Sequence, residues 1–276
     1  MKRRSLPMAA AAALIGMIVG GYAAAQNPQA SAAAPQNQAV TPVSSATPVA
    51  RTSAALPSTK ELLQKYEAAM GGRDAWAKFT TRYIKGIYQT EDSSGFASVE
   101  IFRKSPNKAL SKISFPNGLV LREVCDGKSA WIEDPVGGMH AMTGVGLESR
   151  LRRSDFNDQA SALLLAVTGH VLGTQRVGAH DTYVLEFSPE KKLTSKLYFD
   201  QASGFPVRAD DTFRLADGDY KVETYVDDYR VVDGAYFPFR MRHVEKGNVF
   251  TIRVTQVKNN YPVDDSMFLK PVSAPK

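Results

Sequence analysis

Thr182-Tyr183-Val184-Leu185-Glu186-Phe187-Ser188 and, a few residues on, Leu193-Thr194-Ser195-Lys196-Leu197-Tyr198-Phe199-Asp200 decide the fold. Tyr183, Leu185 and Phe187 alternate with Thr182, Glu186 and Ser188, while Leu193, Leu197 and Phe199 alternate with Thr194, Lys196 and Asp200. A period of two gives each segment one apolar face and marks it as a strand. Phe250, Ile252 and Val254 against Thr251, Arg253 and Thr255 repeat the rule. Turn formers separate the segments: Gly178 with Asp181, Ser203-Gly204, Asp217-Gly218, Asp233-Gly234 and Gly247-Asn248. Asp-Gly is a strong hairpin dipeptide because glycine accepts positive φ. No long helical pattern intervenes, which excludes βαβ crossovers and a parallel sheet, so the run from about residue 173 to 260 reads as one antiparallel sheet. A broad sheet with an apolar face must be covered.

Upstream, Ser58 with Glu61 makes a capping box, Leu62, Leu63, Tyr66 and Met70 share a helical face, and Gly71-Gly72 supplies the stop. A second short helix is expected at about Arg73 to Phe79, bringing Trp76 and Phe79 to the same side. Strands follow at about Thr81 to Thr90, Gly95 to Lys104, Lys108 to Phe115, Leu119 to Cys125 and Ser129 to Glu133, separated by Ser93-Ser94-Gly95, Ser105-Pro106-Asn107, Pro116-Asn117-Gly118 and Asp126-Gly127. Between the two strand-rich halves, Pro135, Gly137, Gly138, Gly144 and Gly146 mark a loop carrying Met139 and Met142. Phe156, Leu163, Leu164 and Val167 then fall at helical spacing. Methionine adapts to varied apolar partners. This insertion is either a lid over an apolar cavity or an ordinary core helix beside an ordinary loop.

The N-terminus speaks of location. Lys2, Arg3 and Arg4 precede an apolar run from about Met8 to Val19, and Ala23-Ala24-Ala25 offers a cleavage site before Gln26, so residues 1–25 read as a secretory signal peptide. An uncleaved N-terminal anchor is the alternative. No cysteine follows the run, which excludes a lipid-modified N-terminus. Residues 26–57, rich in Ala, Pro, Ser and Gln, bury too little surface to offset ordering entropy and read as a disordered tether. The remaining 58–272 suits one β-rich domain with a sizeable core. The formal net charge of +6 falls to +3 without Lys2, Arg3 and Arg4, and Arg51 lies in the tether, so no nucleic-acid partner is indicated. The basic run Arg150, Arg152 and Arg153 reads as a solvated helix start or loop, or as a contact for anionic headgroups.

Catalytic and metal chemistry is not indicated. Cys125 is the single cysteine, expected as a buried small hydrophobe, and His140, His170, His180 and His243 show no paired spacing, so neither zinc nor c-type haem is supported. Gly127-Lys128-Ser129 lacks the second glycine of a nucleophile elbow, and Gly144-Val145-Gly146 lacks a third glycine. Asp210, Asp211, Asp217 and Asp219 do not match a calcium loop. No cofactor is expected.

Several stretches resemble a known family. Leu197-Tyr198-Phe199-Asp200 with Ser203-Gly204-Phe205-Pro206-Val207-Arg208 resembles the strand-turn-strand signature of bacterial outer-membrane lipoprotein-sorting proteins, the LolA/LolB-like superfamily. Tyr225 to Arg230 with Val232-Asp233-Gly234 and Phe237-Pro238-Phe239-Arg240 resembles the next hairpin of such proteins. Asn259-Asn260-Tyr261-Pro262-Val263-Asp264-Asp265 with Phe268 and Pro271 resembles their closing tail, and Gly71-Gly72 followed by Trp76 their helix opening. The resemblance implies an α+β, mainly β fold: a strongly curved antiparallel sheet forming an unclosed β-barrel wrapped around helices, with an apolar cavity that holds acyl chains. It also implies acyl chains of lipids or lipoproteins as ligands, with a membrane-bound envelope partner as the further option, while the signal peptide gives the periplasm as the expected compartment. The expected function is an exported, non-catalytic carrier shielding acyl chains, with Phe102, Phe115, Trp131, Phe187 and Phe199 as cavity wall and Met139, Met142, Phe156 and Leu163 as lid. The alternative is an envelope interaction or sensor module with no transported ligand.

Overall fold

The computed structural model describes residues 55–91, 95–134, 137–156, 168–190, 192–215, 218–245 and 247–270. The expected signal peptide, nearly all of the tether, and Leu163, Leu164 and Val167 lie outside them. Two helices, α1 (Thr59–Ala69) and α2 (Arg73–Ala77), precede six strands: β1 (Thr81–Thr90), β2 (Phe96–Lys104), β3 (Lys108–Ser114), β4 (Val120–Cys125), β5 (Ala130–Asp134) and β6 (Gly138–Ala141). Helix α3 (Gly144–Arg153) follows. Seven strands complete the sheet: β7 (His170–Val177), β8 (His180–Glu190), β9 (Leu193–Asp200), β10 (Pro206–Leu215), β11 (Gly218–Val232), β12 (Ala235–Glu245) and β13 (Asn248–Asn259). A 3₁₀ turn, Asp265–Phe268, closes the described chain.

All thirteen strands form one sheet in the order β6-β5-β4-β3-β2-β1-β13-β12-β11-β10-β9-β8-β7, with antiparallel pairing throughout. Each half is a meander of hairpins, and the β1–β13 pair welds the first strand to the last. Strands β6 and β7 end the ladder, so the barrel is not closed. Register shifts at Lys85/Gly86, Val171/Gly173, Phe187/Glu190 and Pro206/Arg208 are bulges, which add twist and bend the strands that carry them. The Asp233-Gly234 hairpin has positive φ at both central residues, 54° and 87°, the turn whose twist matches its strands.

The capping box at Ser58 forms as expected: its hydroxyl accepts the Glu61 N–H at 3.2 Å, and its own N–H donates to Glu61 Oε2 at 2.8 Å. Helix α1 lays Leu62, Leu63 and Tyr66 on Leu185, Phe187 and Phe199, with the Tyr66 and Phe199 rings edge to face at 5.5 Å. Gly71 has φ +104°, and a Cβ there would meet the Gly234 carbonyl oxygen at 2.6 Å, so the helix stop doubles as the contact with the β11–β12 hairpin. Tyr236 N–H donates to the Met70 carbonyl across the same junction, at 3.1 Å. Helix α2 sets Trp76 against Phe237, ring centres 4.7 Å apart, with its indole N–H on the Met70 carbonyl.

Two expectations need correction. The stretch at Met139 is strand β6, paired to β5 through Met139↔Glu133 and His140↔Ile132, and the glycines at 144 and 146 open a helix rather than continue a loop. Four residues are too few to reveal alternation beside the Pro135 to Gly138 turn signals. The run Arg150, Arg152, Arg153 is not solvated either: Arg150 is 2% and Arg153 4% exposed, while Arg152 is partly buried.

Candidate ligand-binding site on the inner face of the sheet

Alternation gives the sheet two faces, and the helices lie on one of them. On this inner face Ile84 and Tyr88 of β1, Val99 and Ile101 of β2, Ile113 of β3 and Leu121 of β4 join Phe237, Met241, Phe250 and Ile252 in one buried apolar cluster. Phe156, just beyond α3, belongs to that cluster, and Phe115 packs against its edge with its ring 6.3 Å from Tyr88. Phe187 and Phe199 also face inward, beneath α1. Four of the anticipated wall and lid residues therefore share the inner face, in two clusters.

Phe102 and Trp131 point the other way. They pack with Leu110 and Val124 beneath Val263, Met267 and Phe268, so the closing tail covers the outer face of β2 to β5. Asp264 caps the tail's turn through the Ser266 N–H at 2.7 Å, and Asp265 bridges Lys104 at 3.1 Å and Lys108 at 3.0 Å. Met139 pairs with Glu133, in phase with Trp131, on the outer side of edge strand β6. Met142 N–H donates to the Ala130 carbonyl, placing Met142 at the inward phase. A cleft of about 430 Å³ opens on the outer face, lined by Leu110, Arg122, Val124, Ser266, Met267, Leu269 and Lys270.

The inner face also carries charges that the sequence reading did not single out. Arg82 stands in phase with Ile84 and Tyr88 and is fully buried. Its guanidinium carbon lies 4.7 Å from the Phe237 ring centre, 4.9 Å from Phe156, 5.0 Å from Trp76 and 5.8 Å from Phe79, a cage in which the ring quadrupoles stabilise the cation. Nε donates to Asn259 Oδ1 at 2.8 Å. Nη1 and Nη2 have no hydrogen-bond partner among the described residues. Burial and the charge of Arg103, its register partner on β2, push the guanidinium down to about 9, so it remains charged at neutral pH.

Arg103 donates from Nη2 to the carbonyls of Arg153 at 2.8 Å and Asp155 at 2.6 Å, at the C-terminal end of α3. Helix carbonyls there lack intrahelical partners and carry the negative end of the dipole, so an arginine is the matching anchor. Arg150 reaches Glu123 of β4 with Nε 3.7 Å from Oε2, both side chains nearly inaccessible. That separation is an ion pair without a hydrogen bond. Helix α3 is thus held by charge and carbonyl contacts. The in-phase positions of Arg82, Arg103 and Glu123 were readable as breaks in apolar alternation. The burial of Arg150 and Arg153 on α3 was not, because a run of arginines reads as solvated.

A second polar group lies on β9 to β12. The Ser195 hydroxyl donates to the Asp211 carboxylate, and Thr224 Oγ1 lies 3.0 Å from His243 Nδ1. His243 is fully buried with its ring 4.6 Å from Phe250, and its Nε2 has no partner among the described residues. Burial pushes its imidazole down to about 3, so it is neutral. Among the described residues no group of three or more His, Cys, Asp or Glu is placed to hold a metal ion, and no helix is long and apolar enough to cross a membrane.

No protein-family model and no curated protein matches the sequence. Solved structures do. A DUF1329 family protein from Desulfovibrio piger shares 15% identity over 76% of this chain and 97% of its own, with a TM-score of 0.52. A LolA superfamily protein from Nitrosomonas europaea shares 15% over 78% of this chain and 99% of its own, at 0.50. A domain assigned to outer membrane lipoprotein sorting from Vibrio parahaemolyticus shares 11% over 75% and 94%, at 0.51. With thirteen antiparallel strands in one unclosed sheet around its helices, the chain has the LolA-like fold.

Proposed function

We propose that the protein is an exported, non-catalytic carrier that shields the acyl chain of a lipid or lipoprotein against the inner face of its sheet, in the periplasm. One observation carries this reading: the apolar floor of β1 to β4 is overlain at its end by α3, which is docked through Arg150, Glu123 and Arg103. Swinging α3 outward rehydrates Arg150 but leaves Glu123 on the floor without its partner, a cost of about 3–5 kcal/mol. The floor residues are nearly inaccessible as the chain stands. An acyl chain therefore enters by displacing α3 and Phe156, which act as the lid. Each methylene moved from water to such a floor contributes about 0.8 kcal/mol, enough over a fatty chain to offset the lost anchors. The fold seen in a superfamily protein and in a sorting-protein domain supports the reading.

The two tryptophans lie on opposite faces, Trp76 inside and Trp131 outside, which makes a spatial test available. In single-tryptophan proteins (Trp131→Phe or Trp76→Phe), a series of fatty acids brominated at successive chain positions includes members that quench Trp76 and none that quenches Trp131. Quenching of Trp131 alone contradicts inner-face binding, and quenching of neither favours a module that binds no lipid.

A further inference from the structure

We propose that Arg82 receives the anionic head, carboxylate or phosphate, of an amphiphile whose chain lies on the inner face. The inference rests on the carrier reading and names the ligand class for it. Arg82 offers two guanidinium nitrogens with no hydrogen-bond partner among the described residues, on a side chain with no solvent exposure. A buried donor left bare demands an explanation. The ring cage explains the charge but not the bare N–H groups, because a π-face contact leaves the guanidinium edge unsatisfied. A water molecule is a poor occupant: it needs two to four polar partners, and the neighbours are Trp76, Phe79, Phe156 and Phe237. A carboxylate or phosphate accepts from Nη1 and Nη2 together and neutralises the charge, the pairing for which arginine is built.

The walls then select what is attached to the anion. Trp76, Phe79, Phe156 and Phe237 surround the guanidinium, so a ligand that reaches it turns apolar close behind its head. Phe156 is the ring that gives way. It comes from the connection after α3 rather than from the sheet, and is tied through its N–H to the Pro106 carbonyl at 2.8 Å. Arg103 lies opposite Arg82 across the β1–β2 pair and adds to the local positive field.

Trp76, 5.0 Å from the guanidinium, reports on the site. In the Trp131→Phe protein, Trp76 emission is followed on titration with oleate, oleoyl-lysophosphatidate and mono-oleoylglycerol, each below its micelle-forming concentration, and with inorganic phosphate. The expected result is a Kd about tenfold lower for the two anionic lipids than for the neutral one, with the preference abolished in Arg82→Gln and reduced in Arg82→Lys. Equal Kd values for all three lipids in the Trp131→Phe protein overturn the inference while leaving the carrier reading intact. Binding of none of them overturns both. A response to inorganic phosphate at the concentration of lysophosphatidate that saturates shows a free-anion site and overturns the lipid-head assignment. The comparison among ligands stands even if Arg82→Gln fails to fold.

Discussion

Arg82 and Glu123 each occupy a strand position whose in-phase neighbours are apolar, His243 lies in phase between Met241 and Glu245, and all three are fully or almost fully buried. Alternation alone announces them as exceptions, yet it does not say which face is covered, so their burial was not legible. His243 has a measurable consequence. Its native value of about 3 lies below the ordinary 6.5, so between those values the unfolded chain holds a proton that the native chain does not. Stability is therefore full above about pH 6.5 and falls as pH drops toward 3, by up to about 1.4 kcal/mol per pH unit. His243→Phe is expected to move the acid-unfolding midpoint, followed by circular dichroism, to lower pH; an unchanged midpoint contradicts a buried neutral imidazole. Gly71→Ala combines a positive φ with a contact on the Gly234 carbonyl and should cost about 2 kcal/mol in urea denaturation. A loss below a few tenths of a kcal/mol argues against that close approach.

At the scale of elements, β1 to β5 lie within about a residue of the boundaries that Ser-Pro-Asn, Pro-Asn-Gly and Asp-Gly breaks imply. Helix α1 was equally plain, because Ser58, Glu61 and Gly71 punctuate it. Helix α3 was hidden: two glycines weaken its first turn, and a search for apolar periodicity passes over Arg150 and Arg153, which it buries. Arg103→Met is expected to raise amide hydrogen exchange across 144–156 at least about tenfold while β1 and β13 keep their protection. Unchanged exchange there shows that the carbonyl contacts do not hold the helix. The tail has its own signature. Phe268 is fully buried over Leu110 and Val124, so Phe268→Ala should cost about 3–5 kcal/mol and shift Trp131 emission to the red. A destabilised protein with unshifted Trp131 emission contradicts tail packing at that face.

For the whole molecule, the antiparallel class was readable from hairpin dipeptides and from the lack of helical pattern between strands. The unclosed curvature came through the resemblance of the Ser203 to Arg208 and Phe237 to Arg240 segments. The division of aromatic residues between faces was not readable: Phe102 and Trp131 sit in strands whose two faces are both buried, one by helices and one by the tail, whereas Phe187 and Phe199 have α1 above them. Periodicity of two assigns partners to a face but does not name the face. The most direct test of the carrier claim is native mass spectrometry of residues 26–276, purified from an exporting host without detergent, with organic extraction of what denaturation releases. A carrier shows a bound lipid or acylated peptide in the native spectrum that is lost on denaturation. A bare protein mass that stays bare after incubation with a fatty-acyl probe contradicts it.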